Sequence, residues 1–215
     1  MKKRVIAVVL IAVFACSLFL LYRYNYIPHK QFSSADFGIE IYKSAVDTDA
    51  DGIDDQTDIL KGAYEYLDTN PKYKSRYYAD TGYPDDNCGV CTDVVAFALR
   101  DAGYDLMELV NADIKKHPDD YDIETPDKCI DFRRVENLFV FFENNAVKLT
   151  TNTEEIESWQ AGDIVVFKNH IGIVSDHRNK DGVPFVLHNA SVIQASYEED
   201  ILDIWGEIIG HYRMS

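Results

Sequence analysis

Positive charge is scarce in this chain. Its 215 residues hold 21 Lys and Arg against 37 Asp and Glu, a formal net charge of −16. The first 30 residues hold five of the bases and none of the acids, so residues 31–215 carry −21. Nucleic-acid binding relies on Lys and Arg neutralising phosphates, so no nucleic-acid partner is expected. Cysteine is also sparse, at four residues. Cys16 sits in an apolar run, and the other three are too few for a disulfide framework or a four-ligand zinc site. Internal repeats and low-complexity linkers are absent, which excludes solenoids and arrays. What remains is 47% hydrophobic and 13% aromatic, enough for one packed domain.

The start is basic, Met1-Lys2-Lys3-Arg4, and the 18 residues from Val5 to Tyr22 carry no charge. Eighteen helical residues span ~27 Å, just enough to cross a bilayer's hydrocarbon core. Residues 1–30 therefore read as an anchor or signal segment with a tether, the tether spanning residues 24–36. The flanking Lys and Arg predict a cytoplasmic N-terminus and an exported body, residues 31–215. An uncleaved single-pass anchor is expected on length. Cleavage near Val13-Phe14-Ala15-Cys16, giving a secreted protein, is the alternative.

In the body, Phe37, Ile39 and Ile41 alternate as a strand or irregular lead-in. Helical spacing of Ile59, Leu60, Ala63 and Leu67 predicts a helix over 55–67. Val94, Val95, Ala98, Leu99 and Ala102 predict another from Cys91, stopped by Gly103. A third is expected over 135–142. The pattern then turns to strands at 164–167, 170–175 and 183–188, with closing strands over 201–209 and 210–213. Helices first and an antiparallel sheet afterwards make an α+β domain.

Cys91 opens a helix, where free N–H groups and the helix dipole favour a thiolate, so a lowered thiol pKa is expected. Its own N–H is placed to help hold an oxyanion. A buried, inert cysteine is the competing reading. His170 opens a strand and shares a face with Gly172 and Val174. A symmetric loop over 176–182 sets His170 opposite His188, close enough to orient the imidazole. A one-residue slip would substitute Asn189. The nucleophile, base and orienter of a cysteine hydrolase are thus Cys91, His170 and either His188 or Asn189.

These blocks, Gly89-Val90-Cys91-Thr92-Asp93-Val94-Val95, His170-Ile171-Gly172-Ile173-Val174 and Leu187-His188-Asn189, resemble the NlpC-type cysteine peptidases of the papain-like superfamily. Ile130–Val135, Asp163-Ile164-Val165 and Gly210–Arg213 resemble, more narrowly, a bacterial family of unknown function placed within it. The resemblance implies a helix-borne Cys91 packed against a small antiparallel sheet, a triad of Cys91, His170 and His188, and peptidoglycan stem peptides as substrate. By the same resemblance Tyr83 would line the cleft. The sequence departs from the better-studied branch, which has Asp-Cys-Ser-Gly at the nucleophile.

Residues 47–58 fit the loop template of calcium-binding helix–loop–helix motifs. Asp47, Asp49 and Asp51 stand at positions 1, 3 and 5, Gly52 at 6, Ile53 at 7 with its carbonyl, Asp55 at 9 and Asp58 at 12. A weakly held structural Ca2+ bracing the helix over 55–67 is expected. Position 12 is Asp rather than Glu, and no clear helix precedes the loop, so a solvated acidic turn is the competing reading.

Three body cysteines suit one disulfide and one free thiol, so a Cys88–Cys129 bond is expected, or all three are reduced. Cys88-x-x-Cys91 also allows a thiol–disulfide enzyme. A non-catalytic wall-binding module is a third reading. Asp131, Arg133 and Arg134 are expected to form salt bridges.

Overall fold

Four consecutive apolar residues, Ile164 to Phe167, form a strand covered on both faces, and the rest of the domain is arranged about it. The computed structural model describes residues 2–214. In chain order the helices are α1 (Lys2–Arg23), α2 (Asp55–Asp68), α3 (Cys91–Asp101), α4 (Leu106–Lys116), α5 (Lys128–Asp131) and α6 (Val135–Asn145). The strands are β1 (Phe32–Ser33), β2 (Lys72–Tyr73), β3 (Cys88–Gly89), β4 (Val147–Lys148), β5 (Ile164–Phe167), β6 (His170–Arg178), β7 (Pro184–Leu187), β8 (Glu198–Glu199) and β9 (Ile208–Arg213).

The main sheet is antiparallel, ordered β4-β9-β5-β6-β7-β8, with β1 also paired to β6; β2 and β3 form a separate parallel pair. Period-two alternation gives the sheet two apolar faces. Ile164, Val166, Ile171, Ile173 and Leu187 pack against Ile59, Ala63, Val94, Val95, Ala98 and Leu99 of α2 and α3. Val165, Phe167, Val174 and Val186 pack on the other side with Trp159, Ile201 and Leu202. Each fully buried Val, Leu or Ile contributes roughly 1.5–3 kcal/mol, so both faces hold the sheet. An α+β fold with an antiparallel sheet is therefore observed.

The helix starts have identifiable caps. The carboxylate of Asp54 accepts from the N–H of Thr57 before α2, and Asp105 accepts from Met107 and Glu108 before α4. Gly103 ends the α3 turn at φ +84°, where a side chain would be strained.

One expectation is corrected. The strand predicted across 201–209 begins only at Ile208, because 201–206 fold as turns after β8. Of the two readings of 37–41, the irregular lead-in is the one found, after a short 3-10 helix at Ser34–Phe37. The tether is fastened to the body. Tyr22 stacks on His29 at 3.9 Å, His29 Nδ1 lies 2.7 Å from Asp200 Oδ2, and Asn25 bonds the Asp200 backbone. α1 itself is 22 residues long with no buried side chain, apolar enough to be a membrane span or a signal sequence.

Candidate active site

The start of α3 is fixed by a buried ion pair. The N–H of Val90 donates to Asp93 Oδ2 at 2.8 Å, the side-chain capping expected three residues into a helix. Asp93 is gripped by Arg133, Nε to Oδ1 at 2.6 Å and Nη2 to Oδ2 at 2.9 Å. Arg133 also donates to the Arg76 carbonyl at 2.6 Å. Arg133 is thus a structural clamp, as the ion-pair reading expects. Asn189 Nδ2 donates to the carbonyls of Pro71 (2.9 Å) and Gly89 (3.3 Å), tying the 189 segment to the stretch before Cys91.

The backbone N–H groups of Ile171 and Thr92 favour the thiolate form of Cys91. Even so, burial pushes it up to about 11, and the Asp93 carboxylate adds to the rise. The lowered thiol pKa expected from the helix start is therefore corrected: loss of water outweighs the N–H groups and the dipole. At neutral pH Cys91 is a thiol.

His170 Nε2 lies 2.8 Å from His188 Nδ1, so the expected contact between the two imidazoles forms. The expected register does not. Ile173 pairs with Leu187 and Val174 with Val186, which sets His188 opposite Gly172 rather than His170. The rings meet diagonally, and the absence of a Cβ at Gly172, which would strike Val186, keeps that space open. Asn189 is one position along and belongs to the other face.

The proton order of this pair follows from its outer partner. Glu199 Oε2 lies 3.2 Å from His188 Nε2, off the line of a formed hydrogen bond. A carboxylate can only accept, so the proton of His188 belongs on Nε2. His188 Nδ1 then accepts from His170 Nε2–H, and the lone pair of His170 falls on Nδ1. Burial holds both imidazoles below their ordinary range; His188 adds to the lowering at His170, while Glu199 only partly offsets it at His188, so both are neutral at pH 7.

Sulfur and imidazole meet the same end of β6 from different sides. Ile171 and Ile173 face α3, whereas Val174, and with it His170 and Gly172, belongs to the opposite face. Among the described residues no hydrogen bond joins Cys91 to His170. Trp205 stacks on His170 at 4.3 Å between ring centres and stands edge-on to His188 at 5.4 Å.

Tyr83 is corrected. It is a core residue, packed on Phe97 and Phe132 under Arg100, with its hydroxyl donating to Asp105. Tyr66 is the aromatic beside Gly89, two residues before Cys91. Its hydroxyl is buried without a partner, and a Cβ at Gly89 would strike it. Its place in an amphipathic helix masks it among core residues; Trp205, in a segment read as strand, and Glu199, just before it, carry no sequence mark either. The Cys88–Cys129 bond is also corrected. All four cysteines are free, Cys88 lying in β3 and Cys129 Sγ donating to the Ala79 carbonyl at 3.5 Å.

Beside the nucleophile block lies a cleft of about 940 Å³, lined by Lys72, Lys74, Arg76, Asn189, Gln194 and Tyr197 among others. Two groups have metal-binding potential. Asp47, Asp49 and Asp51 bring carboxylate oxygens within 4.8 Å of one another, and Asp176, His177 and Glu198 do likewise.

Comparison with known proteins gives a family but no activity. The uncharacterized protein YijF of Escherichia coli (strain K12) is 38% identical over 153 residues, 67% of this chain and 72% of that protein. No solved structure matches. The family match, to residues 60–214, corrects the NlpC-type assignment, because the matching family is a distinct one and no NlpC-type or papain-like family matches. The motif likeness at Cys91 and His170 rested on short blocks, each weakly specific by itself. By the match across residues 60–214, the chain belongs to the family described as "Domain of unknown function (DUF1287)".

Proposed function

We propose that this chain is a cysteine-nucleophile amide hydrolase of the cell envelope, acting on peptidoglycan stem peptides. Cys91 is the nucleophile, His170 the base and His188 its orienter. One observation carries the reading. The helix that Cys91 opens packs against the strand that His170 opens, and His170 has Nε2 committed to His188 while Nδ1 has no hydrogen-bond partner among the described residues. Removal of the thiol proton by that nitrogen yields thiolate and imidazolium. The sulfur attacks the amide carbonyl, His170 returns the proton to the leaving amine, and water hydrolyses the thioester.

The resting arrangement is latent, because the thiol is protonated and Trp205 covers the imidazole. Catalysis requires Trp205 to move aside and the His170 ring, at the end of its strand, to leave its present face and reach the sulfur. The substrate class rests on position alone, now that the NlpC-type likeness is corrected. α1 is read as an uncleaved span with Lys2, Lys3 and Arg4 inside, which sets the body outside beside the wall. A thiol–disulfide role is less well supported, since that chemistry uses depressed thiol pKa values and Cys91 is raised.

Digestion of purified peptidoglycan by the full-length protein, with fragment identification, tests the proposal. Cys91→Ala is expected to abolish fragment release with its melting temperature unchanged, and His170→Ala to reduce it 10²–10⁴-fold. Full activity in Cys91→Ala would end the proposal.

A further inference from the structure

The loop before α2 sorts its acids into two kinds. Asp54 and Asp55 are committed to the protein. Asp54 caps α2 and accepts from the N–H of Ser44 at 2.9 Å. Asp55 accepts from the N–H of Thr48 at 2.7 Å, from its hydroxyl at 2.8 Å, and from Tyr104. The expected ligand at position 9 is therefore engaged elsewhere.

Asp47, Asp49 and Asp51 meet no protein cation among the described residues. Their only partners are N–H groups of the loop itself, Asp51 and Gly52 onto Asp47, Asp51 onto Asp49, and Ile53 onto Asp51. Such turns occur in any acidic loop and decide nothing alone. The deciding residue is Asp58. Its side chain is 2% exposed, Oδ1 is buried with no hydrogen-bond partner, and the nearest cation, Lys61 Nζ, is 4.0 Å away. Asp51 and Asp49 are among the acids whose charges bear on it. A buried carboxylate without a hydrogen-bond partner is costly, and acidic neighbours raise the cost. The Ile53 carbonyl accepts no backbone hydrogen bond. Gly52, at φ +94°, turns the loop back with open space about it.

We propose that the 47–58 loop binds one Ca2+ through the carboxylates of Asp47, Asp49, Asp51 and Asp58 and the carbonyl of Ile53. Hard oxygens in this number suit calcium, with water completing six to eight ligands. The chemistry is independent of Cys91. Its effect is to fasten the start of α2 to the α3–α4 junction. Thr48 bonds Tyr104 at 2.9 Å, and Asp49 lies where a Cβ on Gly103 would touch it. Charge is thereby neutralised on the most crowded acidic stretch of the chain.

The test is calorimetric titration of chelator-treated, detergent-solubilised full-length protein with CaCl2, then with MgCl2, together with thermal melts. We expect one Ca2+ per chain, a Kd in the 10⁻⁴–10⁻³ M range, and much weaker Mg2+ binding. At ten times Kd the melting temperature should rise by roughly 3–5 °C. Asp49→Asn and Asp51→Asn, both exposed, should weaken binding tenfold or more and keep the calcium-free melting temperature. Asp58→Asn should weaken binding likewise, with a calcium-free melting temperature slightly above that of the wild type, and the two exposed variants decide if it does not fold. His177→Ala should bind Ca2+ normally. No heat and no melting shift at 10 mM CaCl2 would overturn the proposal. So would full binding in both exposed variants, or loss of binding in His177→Ala, which would assign the ion to the Asp176–His177–Glu198 group.

Discussion

Asp163 and Asp58 are both carboxylates shut away from water, and their surroundings differ sharply. Asp163 Oδ1 accepts from Gln56 at 2.9 Å and Arg213 Nε at 2.7 Å. Its Oδ2 accepts from the Gln160 N–H and His211 Nε2, both at 2.9 Å, and from Arg213 Nη2 at 2.8 Å. Asp58 has an orphan oxygen and acidic neighbours. The first charge is compensated by the chain that carries it, on three segments that meet only when the sheet is built. The second awaits compensation from solution. Burial alone therefore does not separate structural from ligand-binding carboxylates in this protein; the census of donors does.

The sharpest way to break this contrast is to delete the satisfied member. Asp163→Ala should destabilise the domain by about 3–5 kcal/mol, read by urea denaturation, because Arg213 and His211 lose their shared partner. A loss under 1 kcal/mol would mean the network is ornamental.

The histidines offer an intermediate test. His211 faces two oxygens, Asp163 Oδ2 and the Thr150 carbonyl, while His170 and His188 face each other. The pair has its pKa values lowered on folding, so below 6.5 the unfolded chain binds more protons than the folded one. The stability due to their neutral forms is complete above pH 6.5 and lost as the pH falls below it. Melts of the wild type and a His170→Gln variant between pH 5 and 7.5 should show the wild type losing more, by roughly 1 kcal/mol or more. Parallel curves would contradict the assigned neutral pair.

The smallest effect is expected at Asp58 itself. In chelator, Asp58→Asn should change stability by only about 1 kcal/mol and in the stabilising direction, because it removes an uncompensated charge. Destabilisation by several kcal/mol in chelator would show that Asp58 has a protein partner after all.

Local chemistry made part of this legible. The spacing of Ile59, Ala63 and Leu67 and of Val94, Ala98 and Leu99 marks α2 and α3, and both form where the spacing predicts. α4 escapes such reading because its buried face is only Leu106, Val110, Asp113 and Ile114 within an acidic stretch. The His170–His188 contact was anticipated with the wrong register. β6 runs on to Arg178, and an irregularity between Val174 and Arg178 shifts the pairing, a feature with no sequence mark. The Cys91 thiol was misjudged because helix position is local while burial is set by the whole core. Tyr66, Glu199 and Trp205 acquire meaning only from segments far along the chain.

The clasp of Tyr22, Asn25 and His29 on Asp200 has a mechanical consequence. The stretch it holds, Glu198–Trp205, is also the one that lays Trp205 over the imidazole. The chain leaving α1 and the cover of the histidine pair are thus fastened to one short segment, so loss of the Asp200 contacts would loosen both at once.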